Sequence, residues 1–66
     1  MNRLKFELQF KEIGTKEDIV TWHGDFVPRL NEHVILKARK YMVRDVECYP
    51  PGDTVQLIIL YVRQTK

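Results

Sequence analysis

The feature that most constrains this chain is an uninterrupted apolar run near its end. Residues 57–62 read Leu-Ile-Ile-Leu-Tyr-Val, with no polar side chain between them. A strand with one wet face alternates apolar and polar positions, so this pattern predicts a strand that needs cover on both faces. A chain of 66 residues buries only about 60% of the surface that its unfolded form exposes, so such cover is scarce.

Earlier segments carry simpler strand patterns. Residues 4–11 alternate apolar and polar through four periods, which predicts an amphipathic strand with its apolar residues facing a core. Those residues are Leu4, Phe6, Leu8 and Phe10. Residues 15–22 leave two interpretations open, a helical turn capped at Thr15 or a short strand at 19–22, and the run Ile-Val-Thr-Trp favours the strand.

The second half of the chain predicts two consecutive hairpins, with strands at 33–37, 41–48 and 55–63. Pro28 lacks a backbone N–H, so residues 26–31 are expected to form an extended connection before them. A turn at Ala38-Arg39 would place Leu36 opposite Tyr41 and Ile35 opposite Met42.

In the second hairpin, a turn at Pro51-Gly52 places Cys48 opposite Val55 and Val46 opposite Leu57. Farther along, apolar residues keep facing one another only if one strand carries an extra residue. Arg44 and Asp45 together would then oppose Ile58, which is the arrangement of a β-bulge. A bulge bends a strand and helps a small sheet to curl. We therefore predict an all-β chain, residues 1–66 forming one domain, built as a small curled antiparallel sheet of four to five strands with a bulge near Arg44-Asp45.

The stretch from Pro28 to Val62 resembles the small SH3-like barrels of short bacterial and phage proteins. The matching elements are Pro28, Val34-Ile35-Leu36, Tyr41-Met42-Val43 and Val55-Gln56-Leu57. Asn31-Glu32 stands where that pattern has Gly-Asp, and asparagine tolerates the left-handed backbone that such a turn uses. The resemblance implies an SH3-like barrel; such barrels mostly bind other proteins or nucleic acids.

Composition narrows the setting in which the chain works. The single cysteine, Cys48, excludes an internal disulfide and favours a reducing compartment. The longest apolar run is far shorter than the roughly 20 residues of a membrane-spanning helix, and no N-terminal stretch resembles a signal peptide. We expect a cytoplasmic protein without a membrane partner. The net charge is only +2, but the basic residues concentrate in the second half.

The sequence argues against an enzyme. Cys48 is predicted to be a small core residue away from His33, so a cysteine–histidine pair is not expected. No pair among the histidines and Cys48 has close metal-ligand spacing, and each glycine stands alone rather than in a phosphate-binding loop. We predict no catalytic residues, no metal and no cofactor.

Two surfaces remain as candidate binding sites. The predicted pairing aligns apolar side chains on the second face of the hairpins, where they would bind a protein partner or a second copy of the chain in a dimer. These residues are Ile35, Met42, Ile58, Leu60 and Val62. The competing interpretation is that apolar residues between Ile19 and Leu30 fold over this face and make it a second small core.

The alternative surface is the basic end of the sheet. Lys37, Arg39, Lys40 and Arg63 would gather there beside Tyr41 and Tyr61, and cations around aromatic rings suit single-stranded nucleic acid. If the tyrosines face the core, the cations are instead a solubilising rim that also blocks edge-to-edge aggregation. A third hypothesis, suggested by chain size and the resemblance, is a small inhibitor encoded by a phage or plasmid.

Overall fold

The computed structural model describes residues 5–50 and 55–65, and it forms one curled sheet of five strands. The strands are β1 (Lys5–Glu12), β2 (Asp18–Gly24), β3 (His33–Leu36), β4 (Arg39–Cys48) and β5 (Val55–Gln64). The all-β class is confirmed, and residues 18–24 form a strand rather than a helical turn. In the described part of the chain there is no helix long and apolar enough to cross a membrane.

The sheet is mixed rather than purely antiparallel. Its strand order is β2-β1-β5-β4-β3, with β1 and β5 running parallel and the other neighbours antiparallel. The first strand therefore pairs with the last one. This long-range pairing leaves β2 and β3 at opposite edges of the sheet.

The inner, concave face carries the hydrophobic core. The predicted orientation of β1 is confirmed for Leu8 and Phe10, which are buried, and for Phe6, which packs against the core; Leu4 lies outside the described residues. All strands contribute to this core, since Ile19 and Val20 of β2 pack against it. The other core members on β3, β4 and β5 are Val34, Leu36, Tyr41, Val43, Ile58, Leu60 and Val62.

Residues 25–32, here called the strap, connect the two edges of the sheet. Four strand spacings span roughly 19 Å, and eight extended residues reach at most roughly 28 Å, so the strap can pass from β2 to β3. Pro28 is buried and Val27 packs against the core. Asn31 has φ +71° and donates its N–H to the Val43 carbonyl at 2.8 Å, which confirms the left-handed turn expected there. The strap therefore helps to cover the concave face.

The first hairpin turns one residue earlier than predicted. Lys37 and Ala38 occupy the turn with φ of 52° and 64°, so Leu36 pairs with Arg39 rather than with Tyr41. Ile35 pairs with Lys40 rather than with Met42. A shift of two residues preserves the faces of the strand because side chains alternate with a period of two.

The second hairpin contains the predicted bulge, but its register was predicted wrongly. The pairing shifts between Val43 and Asp45, which confirms a bulge at Arg44. Val46, predicted opposite Leu57, lies opposite Leu60. This displacement of three residues is odd, so it exchanges the two faces of β5. The predicted turn at Pro51-Gly52 lies outside the described residues.

Candidate interaction surface

The exchange of faces divides the predicted apolar surface. Ile58, Leu60 and Val62 are core residues with at most 2% of their surface exposed, so the prediction that they form an open face is wrong. Ile35 and Met42 do lie on the outer face, where Ile35 is 60% exposed and Met42 is half-buried. Of the five residues predicted to bind a partner, only these two therefore lie on the outer face of the sheet.

The outer face of β5 is covered from within the chain. Ile59 is 8% exposed although it points away from the core, and it lies between Gln9 of β1 and Glu47 of β4. Long polar side chains can cover apolar surface with their aliphatic stems while their heads stay in water. Here the heads are held in place, since Tyr61 donates to Glu47 at 3.1 Å and Gln9 donates to Glu7 at 2.8 Å.

A different surface forms at the end of the sheet where β3, β4 and β5 lie side by side. Ile35 faces Lys40, Met42 faces Arg63, and both pairs point outward. Arg44, the bulged residue, reaches back so that its Nη1 lies 3.7 Å from Met42 Sδ. We call this surface the basic patch. Its members are Ile35, Lys40, Met42, Arg44 and Arg63.

The electrostatics of the outer face change along β5. The basic patch contains no carboxylate, and in residues 5–50 and 55–65 none of its cations forms an ion pair. The next outward-facing residue of β5 after Arg63 is Tyr61, and it pairs with the acidic residue Asp45. On the same face, Lys11 binds Asp18 at 2.6 Å. The hydrogen bond that Lys11 donates to Asp18 raises the pKa of Lys11 above its ordinary value. The cations of the basic patch therefore lie together at one end of the face, apart from these carboxylates.

Part of the basic end of the sheet was predicted from the sequence. Lys37, Arg39, Lys40 and Arg63 are all exposed near the tip of the first hairpin, as predicted, although Arg39 lies on the inner side of its strand. Of the two tyrosines predicted to stack bases, one is buried. Tyr41 is 6% exposed in the core, and Tyr61 is half-buried beside Glu47.

Arg44 and the exposed strap residues were not predicted as surface features. The bulge could have indicated Arg44, since the extra residue of a bulge is left without a partner and is re-aimed. In the strap, Phe26 is 65% and Leu30 is 54% exposed, because the half-buried Val27 and the buried Pro28 take the inward positions. Because the two inward residues are adjacent, no alternation in the sequence indicates these positions.

No group of three or more His, Cys, Asp or Glu in residues 5–50 and 55–65 could hold a metal ion. Cys48 is exposed at the end of β4 and pairs with Ile58, so its predicted place in the core, opposite Val55, is wrong. A cleft of about 260 Å³ is lined by Lys5, His23, Gly24 and Asp25. Its histidine lies with Nε2 3.6 Å from Glu7 Oε1.

Comparison with known proteins assigns no family. No family model matches the sequence, and no curated protein or solved structure matches it. The resemblance to SH3-like barrels therefore stays a prediction.

Proposed function

We propose that this chain is a non-catalytic protein-interaction module that docks an acidic protein segment on the basic patch. The observation that carries the proposal is Ile35, a large apolar side chain that is 60% exposed and faces Lys40. An apolar anchor surrounded by polar groups is the arrangement on which protein interfaces depend. The single cysteine supports a cytoplasmic location for this activity.

The charges favour an acidic partner. Lys40, Arg44 and Arg63 have no carboxylate partner within the described ranges, so an incoming aspartate or glutamate would not displace an existing ion pair. Exposed pairs each contribute little to affinity, but complementary charge speeds encounter and excludes basic partners. The apolar contact with Ile35 and Met42 would then supply most of the affinity.

Nucleic acid is the second candidate because the same cations could bind phosphates. Tyr41 is buried in the core, so stacking of a base near these cations would depend on Tyr61, which is half-buried and donates its hydroxyl to Glu47. A large apolar side chain amid the cations gives a phosphate backbone nothing to bind. Protein is therefore the favoured partner.

The test is an NMR titration with two probes, a synthetic peptide of one leucine flanked by glutamates and an oligothymidylate. We expect the peptide to shift the amide signals of Ile35, Lys40 and Met42. Ile35→Asp should weaken binding about tenfold or more, because it removes the anchor and adds repulsion. Val55→Asp is the matched control, since Val55 is 41% exposed at the far end of β5, and it should bind as the parent does.

Two results would contradict the proposal. One is a peptide affinity that Ile35→Asp and Val55→Asp reduce equally. The other is a steeply salt-dependent affinity for the oligothymidylate at the same amides without peptide binding, which would make nucleic acid the ligand.

A further inference from the structure

The two edges of the sheet differ in how they are protected against pairing with another strand. β3 is four residues long and is followed by Lys37, Arg39 and Lys40. Short length and lysine are common ways of protecting an edge. β2 is seven residues long, and its residues 19–23 read Ile-Val-Thr-Trp-His, a run of strand-forming residues without lysine, arginine, carboxylate or proline.

The hydrogen bonds of β1 show which backbone groups of β2 are directed outward. Glu12 donates its N–H toward β2, to the Glu17 carbonyl, whereas Ile13 donates to Val62 of β5. The register shift between Phe10 and Lys11 leaves its extra residue, Ile19, on β2, so directions alternate regularly along β1 and its even-numbered residues bond to β2. Thr21 and His23 pair with the odd-numbered Gln9 and Glu7. Their N–H and C=O groups therefore point to the open edge, where no backbone group from residues 5–50 or 55–65 meets them.

The exposed run is complementary to itself. If two copies pair antiparallel with Thr21 opposite Thr21, Trp22 of one copy lies opposite Val20 of the other. Threonine pairs and aromatic–β-branched pairs both stabilise neighbouring strands. The ring of Trp22 packs edge-on against that of Phe10, with the two ring centroids 4.8 Å apart, yet 38% of the residue is exposed. Trp22 therefore has surface that a dimer would bury. No like charges face each other between residues 19 and 23.

The difference between the edges also limits the size of the assembly. An interface that joins a patch to the same patch on a second copy closes after two subunits. Growth beyond a dimer would require β3, the short edge beside the cations. We infer that two copies of this chain associate through antiparallel pairing of their β2 edges, centred on Thr21. This inference is independent of the proposed docking of an acidic segment, because β2 and the basic patch lie on opposite sides of the sheet.

Trp22 is the single tryptophan of the chain, so its fluorescence reports on the proposed interface. We expect sedimentation to show a monomer–dimer equilibrium and the Trp22 emission to shift to shorter wavelength as dimer forms. Thr21→Lys should raise the dimer dissociation constant about tenfold or more, because two lysines would then face each other. His33→Lys is the matched control, an exposed substitution on the other edge, and it should leave the equilibrium unchanged.

Hydrogen exchange tests the same pairing without a substitution. The amides of Thr21 and His23 should become protected as protein concentration rises, whereas the edge amide of Ile35 should exchange equally at all concentrations. A monomer at every concentration would overturn the inference. So would a dimer that survives Thr21→Lys in a variant with the circular dichroism of the parent, or Thr21 exchange that does not respond to concentration.

Discussion

The two faces of β5 are hidden from water in different ways. On the inner face, Leu60 and Val62 have no exposed surface and lie in a core to which all five strands contribute. On the outer face, Ile59 is 8% exposed beneath polar side chains of β1 and β4. The curl of the sheet protects one face, and long neighbouring side chains protect the other. A small chain can therefore bury an apolar strand on both sides without a second layer.

The largest expected effect compares two leucines of β5 on opposite faces. Leu60→Ala should lower the free energy of unfolding by about 2–5 kcal/mol, because it leaves a cavity in the core. Leu57→Ala, the matched control on the half-buried outer face, should cost about 1 kcal/mol or less. Urea denaturation at one fixed protein concentration measures both. Equal losses would mean that the two faces are not protected differently.

The second prediction concerns the turn that sets the register of β3 and hence the face on which Ile35 lies. Lys37 and Ala38 both have positive φ, and this conformation costs most residues about 1–2 kcal/mol. Lys37→Asn combined with Ala38→Gly should therefore raise the free energy of unfolding by about 1–2 kcal/mol, since Asn-Gly suits a two-residue hairpin turn. Thermal and urea denaturation would measure the gain.

Gly14 provides a control in which a glycine with positive φ is removed rather than introduced. It has φ +98° and nothing within 4 Å of the position that a Cβ would occupy, so Gly14→Ala should destabilise the fold by about 1 kcal/mol through the backbone alone. If the Asn-Gly variant were destabilised instead, the Lys37-Ala38 turn and the orientation of Ile35 would have to be reassigned.

The smallest expected effect is a pH dependence that arises on the outer face. Partial burial, with the hydrogen bond to Glu47, raises the pKa of Tyr61, and the hydrogen bond to Asp18 raises the pKa of Lys11. A group whose pKa is higher in the folded state stabilises the fold below its unfolded pKa, and this contribution is lost as pH rises through the folded pKa. Stability should therefore fall above about pH 10.

Denaturation at a series of pH values from 8 to 11 measures this dependence. Tyr61→Phe keeps the ring but removes the ionising hydroxyl, so the alkaline fall should become shallower. A fall of the same size in Tyr61→Phe and Lys11→Met together would place its origin outside these two outer-face contacts.

The strands could be predicted from the sequence because their signals are local. The alternation of β1 correctly assigned Leu8 and Phe10 to the core, and strand-forming residues correctly favoured a strand around Val20. The bulge at Arg44 was also predicted correctly, because a regular ladder would have placed Arg44 opposite an apolar residue. In each case a short stretch of chain contains the information.

The register of β5 could not be predicted, and most of the proposed site depended on it. Within residues 57–62 every register places an apolar residue opposite its partner, so the pattern cannot distinguish Leu57 from Leu60 as the neighbour of Val46. The odd displacement then moved Ile58, Leu60 and Val62 from the predicted surface into the core. Ile35 stayed on the predicted face of β3, because its predicted partner was wrong by two residues. A shift by an even number of residues does not exchange the faces of a strand.

The sequence by itself determined the all-β class, the approximate strands, the bulge and the basic tip of the first hairpin, since propensity and alternation act over a few neighbouring residues. Only the tertiary structure decided that β1 pairs parallel to β5, that the strap crosses the concave face, and which side of β5 faces the core. The pairing of β1 with β5 joins residues about fifty positions apart, and the path of the strap depends on its contacts with the core. Such contacts are selected by burial of the whole sheet, which no local pattern records.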